Sequence, residues 1–186
     1  MKRQSHTNCA ARAAARFLDR RVLRRRGELR WNVGGLRAVQ HRMPYNEADP
    51  EWWKTFVDGL PAHTAKLAVV RADGSPLVAP VWIDRDGDDI VFMTSADTIK
   101  GKSILRDGRV SLCLDNETPP FDFVTISGTT TTSTDPDELL RWSTRIAGRY
   151  MGAERAEAFG KRNAVPPEMV VRVTPTTIVA KNNVAD

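Results

Sequence analysis

The sequence lacks the residue clusters from which most metal centres and hydrolytic triads are built. Only three histidines occur in 186 residues, and two of them, His6 and His41, lie within the first 42. His63 alone remains for a Ser-His-Asp triad, and no nucleophile-elbow motif accompanies it. The HExxH and CxxC motifs are missing, as are the glycine patterns of Rossmann and P-loop nucleotide sites. We therefore predict neither a metal site nor a triad hydrolase.

Cysteines and long apolar runs are also scarce. The two cysteines, Cys9 and Cys113, cannot form a disulfide framework, and Cys113 falls within a predicted strand as a small core residue. No run approaches the roughly 18 apolar residues that a membrane span needs. No apolar segment follows the basic first residues as it would in a secretory signal. We expect a cytoplasmic protein without a membrane segment.

Positive charge is concentrated in the first 42 residues. This segment holds 12 of the 28 Lys and Arg residues but only 2 of the 23 acidic ones, so the remaining chain is mildly acidic. We divide the chain into a basic arm over 1–42 and a single domain over 43–186. The arm is compatible with binding to nucleic acid or another anionic surface, with an organellar transit peptide, and with a mis-assigned start ahead of Met43. Function is therefore sought in the domain.

Asp-Gly turns between apolar runs organise the first half of the domain. Residues 66–95 predict three strands, because "ADGS" and "RDGDD" are strong hairpin signals. Pro80 falls inside the second run, which predicts an edge strand, a bulge or a place where something other than a strand lies against the backbone. Further along, Gly128 predicts a bulge in a threonine-rich strand, and Pro175 is expected to separate two final strands.

Capping residues mark the helices that interrupt these strands. Asp49 and Asp135 are each followed by proline, which predicts a helix start, and Thr98 is expected to cap a short helix. A further short helix is predicted within 153–162. About seven short strands, mostly linked by hairpins and without βαβ units, indicate an α+β fold that is mainly β. The best match is an antiparallel barrel with helical insertions.

The stretch "TIKGKSILRDGRVSL" (98–112) follows a predicted strand and has the composition of a phosphate site. Thr94 and Ser95 supply hydroxyls, Thr98 caps the helix, and the helix amides carry partial positive charge. Lys100 and Lys102 add two full charges, and one ammonium–phosphate contact is worth about 1–4 kcal/mol. A solvated basic helix face would show the same two lysines, so both interpretations stay open on these residues alone.

Five segments in order resemble a known family. They are "VVRADGSPLVAPVW" (69–82), "IVFMTS" (90–95), "KGKSILRDGRVSL" (100–112), "FVTISGTTT" (123–131) and "RYMG" (149–152). The chain resembles the pyridoxamine-5′-phosphate-oxidase-like split β-barrel flavoproteins over residues 67–179. It looks most similar to the branch that uses the deazaflavin coenzyme F420. The resemblance implies an FMN-binding-protein-like split barrel.

Site residues follow from the resemblance position by position. The hydroxyl and lysine positions of 94–103 match those that grip the cofactor's phosphate, and the strand 79–82 matches the backbone that lies along the isoalloxazine-type ring. Family members are two-fold dimers with a cofactor at each interface, so residues near Trp142, Arg145 and Tyr150 could reach the partner's site. The predicted cofactor-binding residues are Ala79, Pro80, Val81, Trp82, Thr94, Ser95, Lys100, Lys102 and Ser103.

The function implied is hydride transfer from reduced F420 to an unsaturated organic substrate. The cofactor would supply the chemistry, so no catalytic residue is assigned, and the proton could come from solvent, Arg145 or Tyr150. Pyridoxamine phosphate oxidases proper end in an Arg-Leu-x-Pro segment that "TPTTIVAKNNVAD" lacks, which argues against vitamin B6 oxidation. Two alternatives stay open: an FMN-dependent oxidase or reductase of the same fold, and a non-catalytic module that binds haem through His63 or nucleic acid through the arm.

Overall fold

The structure is a computed structural model that describes residues 46–185. The basic arm predicted over 1–42 lies outside these residues, and so do the roles considered for it. Among the described residues, no helix is long and apolar enough to span a membrane.

Eight strands and four helices follow one another along the described chain. The first half contains a short strand, one helix and four further strands that end where the second helix begins. The second half contains three long strands and a pair of helices between the last two. In order, the elements are β1 (Asn46–Glu47), α1 (Trp52–Asp58), β2 (Ala65–Val70), β3 (Pro76–Val81), β4 (Ile83–Asp86), β5 (Asp89–Ser95), α2 (Ile99–Asp107), β6 (Arg109–Asp115), β7 (Phe123–Ser133), α3 (Pro136–Met151), α4 (Ala153–Asn163) and β8 (Glu168–Asn182).

The strands form one curled antiparallel sheet. Their order is β3-β2-β6-β7-β8-β5-β4, and β1 pairs with the end of β8. Every strand pair is antiparallel. The fold is therefore an α+β split barrel, which confirms the predicted fold class.

Alternating side chains of the sheet build the inner core. In β2, β6 and the first half of β7 every second residue is buried, as expected for strands with one face in the core. Three residues of α1 close one side of this core. A fully buried Val, Leu, Ile, Phe or Met side chain stabilises the fold by about 1.5–3 kcal/mol. The largest fully buried side chains of this inner core include Phe92, Leu67, Ile83, Ile90, Leu112, Leu114, Ile126 and Met169.

A second apolar cluster lies on the outer side of β5 and β8, beneath α3. It consists of Val91, Leu139, Trp142 and Val170. Because this cluster covers the outer face of β5, that strand is buried on both faces. Trp142 is wholly buried there, so its side chain does not reach the surface.

Helices α3 and α4 form a closely packed hairpin. The Ser143 hydroxyl donates a hydrogen bond of 2.7 Å to the Gly160 carbonyl. A Cβ atom at Gly160 would lie 2.9 Å from the Cα of Thr144 and closer still to its hydroxyl oxygen. Glycine therefore permits the close approach of the two helices.

Pro80 lies in an edge strand, because β3 is the first strand of the sheet order. One of the explanations offered for this proline is thereby confirmed. The chain from 65 to 95 contains four strands rather than the predicted three, since the run that contains Pro80 divides at Trp82 into β3 and β4.

The prediction of two final strands broken at Pro175 is wrong. β8 runs unbroken from Glu168 to Asn182, and the pairing register with β7 shifts between Ser127 and Gly128, beside Pro175. An irregularity does occur at Gly128, as predicted, but the extra residue is Thr176 of β8 rather than a residue of the threonine-rich strand. Proline has no N–H group to donate, and here the Thr176 hydroxyl donates to the Ser127 carbonyl at 3.1 Å. The bulge lets the strand continue past the proline.

The helix caps agree with prediction at two of three positions. Asp135 caps α3 by accepting a 2.9 Å hydrogen bond from the Glu138 N–H, and Thr98 caps α2. α1 instead begins at Trp52, later than expected, since Asp49 accepts from the N–H of Glu51 in the turn that precedes the helix.

Candidate cofactor-binding cavity

The start of α2 is held firmly against the end of β5. The Thr98 hydroxyl accepts a 3.0 Å hydrogen bond from the Gly101 N–H and donates one of 2.8 Å to the Ser95 carbonyl. A Cβ atom at Gly101 would collide with that same carbonyl and lie 3.1 Å from the Cα of Ala96. The first turn of α2, which carries Lys100, is therefore fixed relative to the sheet.

A cavity of about 470 Å³ opens beside this turn. Its volume falls within the range of small-molecule sites. Its walls come from β3, β5, the start of α2, the α3–α4 hairpin and the start of β8. Apolar side chains line one part of it: Pro80, Val81, Trp82, Met93, Ile146 and Val165. Polar side chains line another part: Lys100, Arg162, Asn163 and Glu168.

Four of the nine predicted cofactor residues line this cavity: Pro80, Val81, Trp82 and Lys100. The other five lie close along the chain but do not line it. Thr94 is buried with its hydroxyl oxygen 3.4 Å from that of Thr98, and the hydroxyl of Ser95 accepts a hydrogen bond from Asp97. Ala79 is half-buried in β3, Lys102 is exposed, and Ser103 is buried. Their roles toward a cofactor stay predictions.

Trp82 forms an aromatic wall of the cavity, and the ring of Tyr150 supports it. Its ring stacks on that of Tyr150 with 4.9 Å between centroids and 3° between planes. The Tyr150 hydroxyl accepts a hydrogen bond from the Ile83 N–H at 3.1 Å and donates one to the His63 carbonyl at 2.7 Å. Because 37% of Trp82 is exposed, the braced ring can also contact a ligand.

Both side chains considered as proton donors are engaged elsewhere. Tyr150 already gives its proton to a carbonyl, and burial raises the pKa of its hydroxyl. Arg145 binds the buried carboxylate of Asp84 at 2.6 Å and donates to the carbonyl of Arg85 at 2.9 Å. Arg145 does not line the cavity. These contacts argue for a structural role of both residues.

Glu168, Arg162 and Asn163 line the cavity although no sequence motif marked them. Glu168 begins β8 and pairs with Ser95 across the sheet. Burial raises the pKa of its carboxyl group, and the charge of Lys100 opposes this shift. Arg162 and Asn163 end α4 and Glu168 begins β8, and polar residues at the ends of elements are also what ordinary turns contain.

His63 lies behind the aromatic wall and does not line the cavity. Its ring stacks on Phe56 with 4.6 Å between centroids. Burial lowers the pKa of the imidazole, and the charges of Lys66 and Arg149 lower it further. Among residues 46–185, no group of three or more His, Cys, Asp or Glu side chains could hold a metal ion.

A curled antiparallel sheet with a cavity between its edge strand and an inserted helical hairpin defines a protein of the split-barrel class. The family model for pyridoxamine 5′-phosphate oxidase matches residues 53–182, and the chain belongs to this family. The family includes oxidoreductases, and its members bind flavins or related cofactors. The family predicted from the sequence is thereby confirmed.

Solved structures with the same fold differ in what their names describe. A conserved hypothetical protein from Mycobacterium tuberculosis is 22% identical, covering 73% of this chain and 86% of its own, with a TM-score of 0.63. An F420 reductase is 22% identical over 62% of this chain and 88% of its own, with a TM-score of 0.50. A haem storage protein from Vibrio cholerae is 17% identical over 71% and 94%, with a TM-score of 0.56. No curated protein matches the chain.

Proposed function

We propose that the protein is an oxidoreductase that binds coenzyme F420 in this cavity and reduces an unsaturated organic substrate. The observation that carries the proposal is the position of Lys100, which lines the same cavity as the apolar residues Pro80, Val81 and Trp82. A cationic end and a flat aromatic wall suit a cofactor that combines a phosphate with a conjugated ring system. The similarity to an F420 reductase favours this cofactor.

The residues present fit the phosphate of such a cofactor. None of the ion pairs among the described residues involves Lys100, so its charge is not neutralised by a salt bridge. At the helix start, Thr98 binds the N–H of Gly101, and the N–H groups of Ile99 and Lys100 precede the first intrahelical bonds. One ammonium group together with free helix amides is a suitable donor set for a phosphate.

Each wall of the cavity would have a separate task. The bound cofactor would supply the hydride, and the protein would orient it. Lys100 would anchor the phosphate end, while Pro80 and Trp82 would fix the plane of the ring system. Met93 and Ile146 would keep water from the reacting faces.

We also propose that the active form is a homodimer. The outward side of β2, β3, β6, β7 and the second half of β8, which we call the open face, exposes 45% of Val70, 63% of Val78 and 42% of Val179. Pro80 follows Val78 on this same side of β3 and lines the cavity, so the cavity borders the open face. A second copy packed on the open face would bury these valines beside the cofactor.

Sedimentation equilibrium tests the dimer. The full chain is expected to sediment as a dimer, and Val78→Lys is expected to give monomers because it buries a charge in the interface. A monomeric parent protein would contradict the proposal.

FMN is the second candidate cofactor, because the family model describes pyridoxamine 5′-phosphate oxidase. Both cofactors carry a ribityl phosphate, which Lys100 would bind equally. Haem is less well supported, since His63 stacks on Phe56 outside the cavity.

Fluorescence titrations of the full chain with F420 and with FMN test the proposal. Tight binding of F420 and weak binding of FMN is the expected result. The reverse order would assign the protein to FMN chemistry. Binding of neither would overturn the proposed function and leave only the fold.

A further inference from the structure

Arg162 is a cation of the cavity that the proposed function does not use. It lies in the last turn of α4 and lines the cavity together with the neighbouring Asn163. Its guanidinium group lies 5.1 Å from the ring centre of Phe159, and none of the ion pairs among the described residues includes it. A guanidinium group supported on a ring and without a carboxylate partner is available to an anionic ligand.

The adjacent Lys161 shows what a structural cation in this helix turn looks like. Its ammonium group pairs with Glu157 one turn earlier at 2.6 Å, and both side chains are exposed. A basic residue in the last turn also stabilises the helix dipole, a task that Lys161 already performs. Helix stability therefore accounts for Lys161 but does not require Arg162 to face the cavity.

The charges inside the cavity favour a ligand with a second negative group. Three ionisable side chains line it: Lys100 from α2, Arg162 from α4 and Glu168 from β8. Burial raises the pKa of Glu168 and the charge of Lys100 opposes this shift, so the carboxyl group interacts with Lys100 rather than with Arg162. The phosphate of the cofactor accounts for Lys100. Arg162 is exposed to solvent at the cavity, and only a ligand with a further anionic group would give its guanidinium group a partner there.

We propose that Arg162 and Asn163 bind a carboxylate of the organic substrate, so that the substrate is a conjugated acid rather than a neutral compound. This proposal rests on the proposed function, in which the cofactor phosphate occupies Lys100. Arg162 would hold the carboxylate by two parallel N–H donors, and the Asn163 amide could donate to the same group. The conjugated part would then lie along the wall formed by Trp82 and Ile146.

Two probes with the same ring system and different charge test the inference. Binding of 2-naphthoate and of 2-naphthalenemethanol to the full chain is measured by isothermal titration calorimetry. The variants are Arg162→Gln and the matched control Lys161→Gln, each of which removes one positive charge from the same helix turn. Arg162→Gln is expected to lower the affinity for naphthoate about tenfold and to leave the affinity for the alcohol unchanged. Lys161→Gln is expected to change neither affinity.

Other variants identify which cation is responsible. Arg162→Lys keeps the charge but loses the paired donors, so naphthoate should bind with intermediate affinity. Unchanged naphthoate binding by Arg162→Gln would overturn the inference, and so would an equal loss for acid and alcohol. A loss seen only in Lys100→Gln would assign the acid to the phosphate position and also overturn it.

Cofactor titrations separate this inference from the proposed function. Arg162→Gln is expected to bind F420 as the parent protein does. If Arg162→Gln lowers the affinity for F420 as much as the affinity for naphthoate, Arg162 belongs to the cofactor site. The substrate assignment is then overturned while the proposed function stands. If the parent protein binds neither F420 nor FMN, the proposed function fails, and selective loss of naphthoate in Arg162→Gln would still support the carboxylate position.

Discussion

The two sides of the cavity carry similar chemistry but are built in different ways. On one side, the first turn of α2 presents Lys100 shortly after the end of β5 in the chain. On the other side, the α3–α4 hairpin and the start of β8 present Arg162 and Glu168. We call these the α2 side and the hairpin side. The difference shows that a contiguous site leaves a pattern in the sequence, whereas a site assembled by tertiary packing does not.

The largest effect is expected from a change that breaks the hairpin side. In Gly160→Ala the new Cβ would overlap Thr144 and force α3 and α4 apart, which should lower the free energy of unfolding by about 3 kcal/mol. Urea unfolding measures this loss. Gly148→Ala is the matched control, because its Cβ would lie 3.4 Å from that of Ala156 and should cost less than about 1 kcal/mol. Equal stability of the two variants would contradict the close packing of the hairpin.

A change on the α2 side should affect binding rather than folding. Lys100→Ala removes the cation on the α2 side of the cavity and should lower the affinity for F420 about tenfold to a hundredfold in fluorescence titrations. Lys102→Ala removes an exposed lysine of the same helix that does not line the cavity, and should change affinity less than about threefold. If the two variants lost affinity equally, long-range charge rather than direct contact would hold the phosphate.

The aromatic brace between the two sides should give a smaller effect. Tyr150→Phe keeps the stack on Trp82 but leaves the Ile83 N–H and the His63 carbonyl without their shared partner. We expect a loss of about 1–2 kcal/mol in unfolding free energy. Cofactor affinity should change little, since the phosphate contact is intact. An F420 affinity reduced as strongly as in Lys100→Ala would instead place Tyr150 in the binding site.

Sequence patterns could predict the sheet and the α2 side because both depend on local chemistry. Asp-Gly turns indicated the hairpins, Thr98 indicated the cap of α2, and Lys100 stands in the first turn after that cap. The predicted strand break at Pro175 was wrong, because the shifted register beside Gly128 lets β8 continue past a residue that usually ends a strand.

The hairpin side depended on information that the sequence does not express. Arg162 and Lys161 are adjacent basic residues, and only packing directs one of them to the cavity and the other to Glu157. Glu168 becomes a cavity residue because β8 pairs with β5, a contact between segments far apart in the chain. Nor could the sequence show that Tyr150 and Arg145, both considered as proton donors, are bound to partners within the fold.

The smallest effect expected is a pair of opposite pH dependences, one behind the aromatic wall and one on the hairpin side. Burial lowers the pKa of His63, so the folded state prefers the neutral ring, and this stability is lost as pH falls below the ordinary value of 6.5. Burial raises the pKa of Glu168, so stability is lost as pH rises above its ordinary value of 4.5.

Melting temperatures between pH 4 and pH 8 separate these two contributions. His63→Phe keeps the ring that stacks on Phe56 and should reduce the loss of stability on acidification. Glu168→Gln removes the other titration and should raise stability most at neutral pH, where the parent carboxyl group is charged at a cost. Bound F420 should steepen the Glu168 effect, because a phosphate near Lys100 further disfavours a carboxylate in the same cavity. If bound F420 left the change of stability with pH that depends on Glu168 unaltered, its phosphate would lie away from Glu168. It would then also lie away from the boundary at which the two sides of the cavity meet.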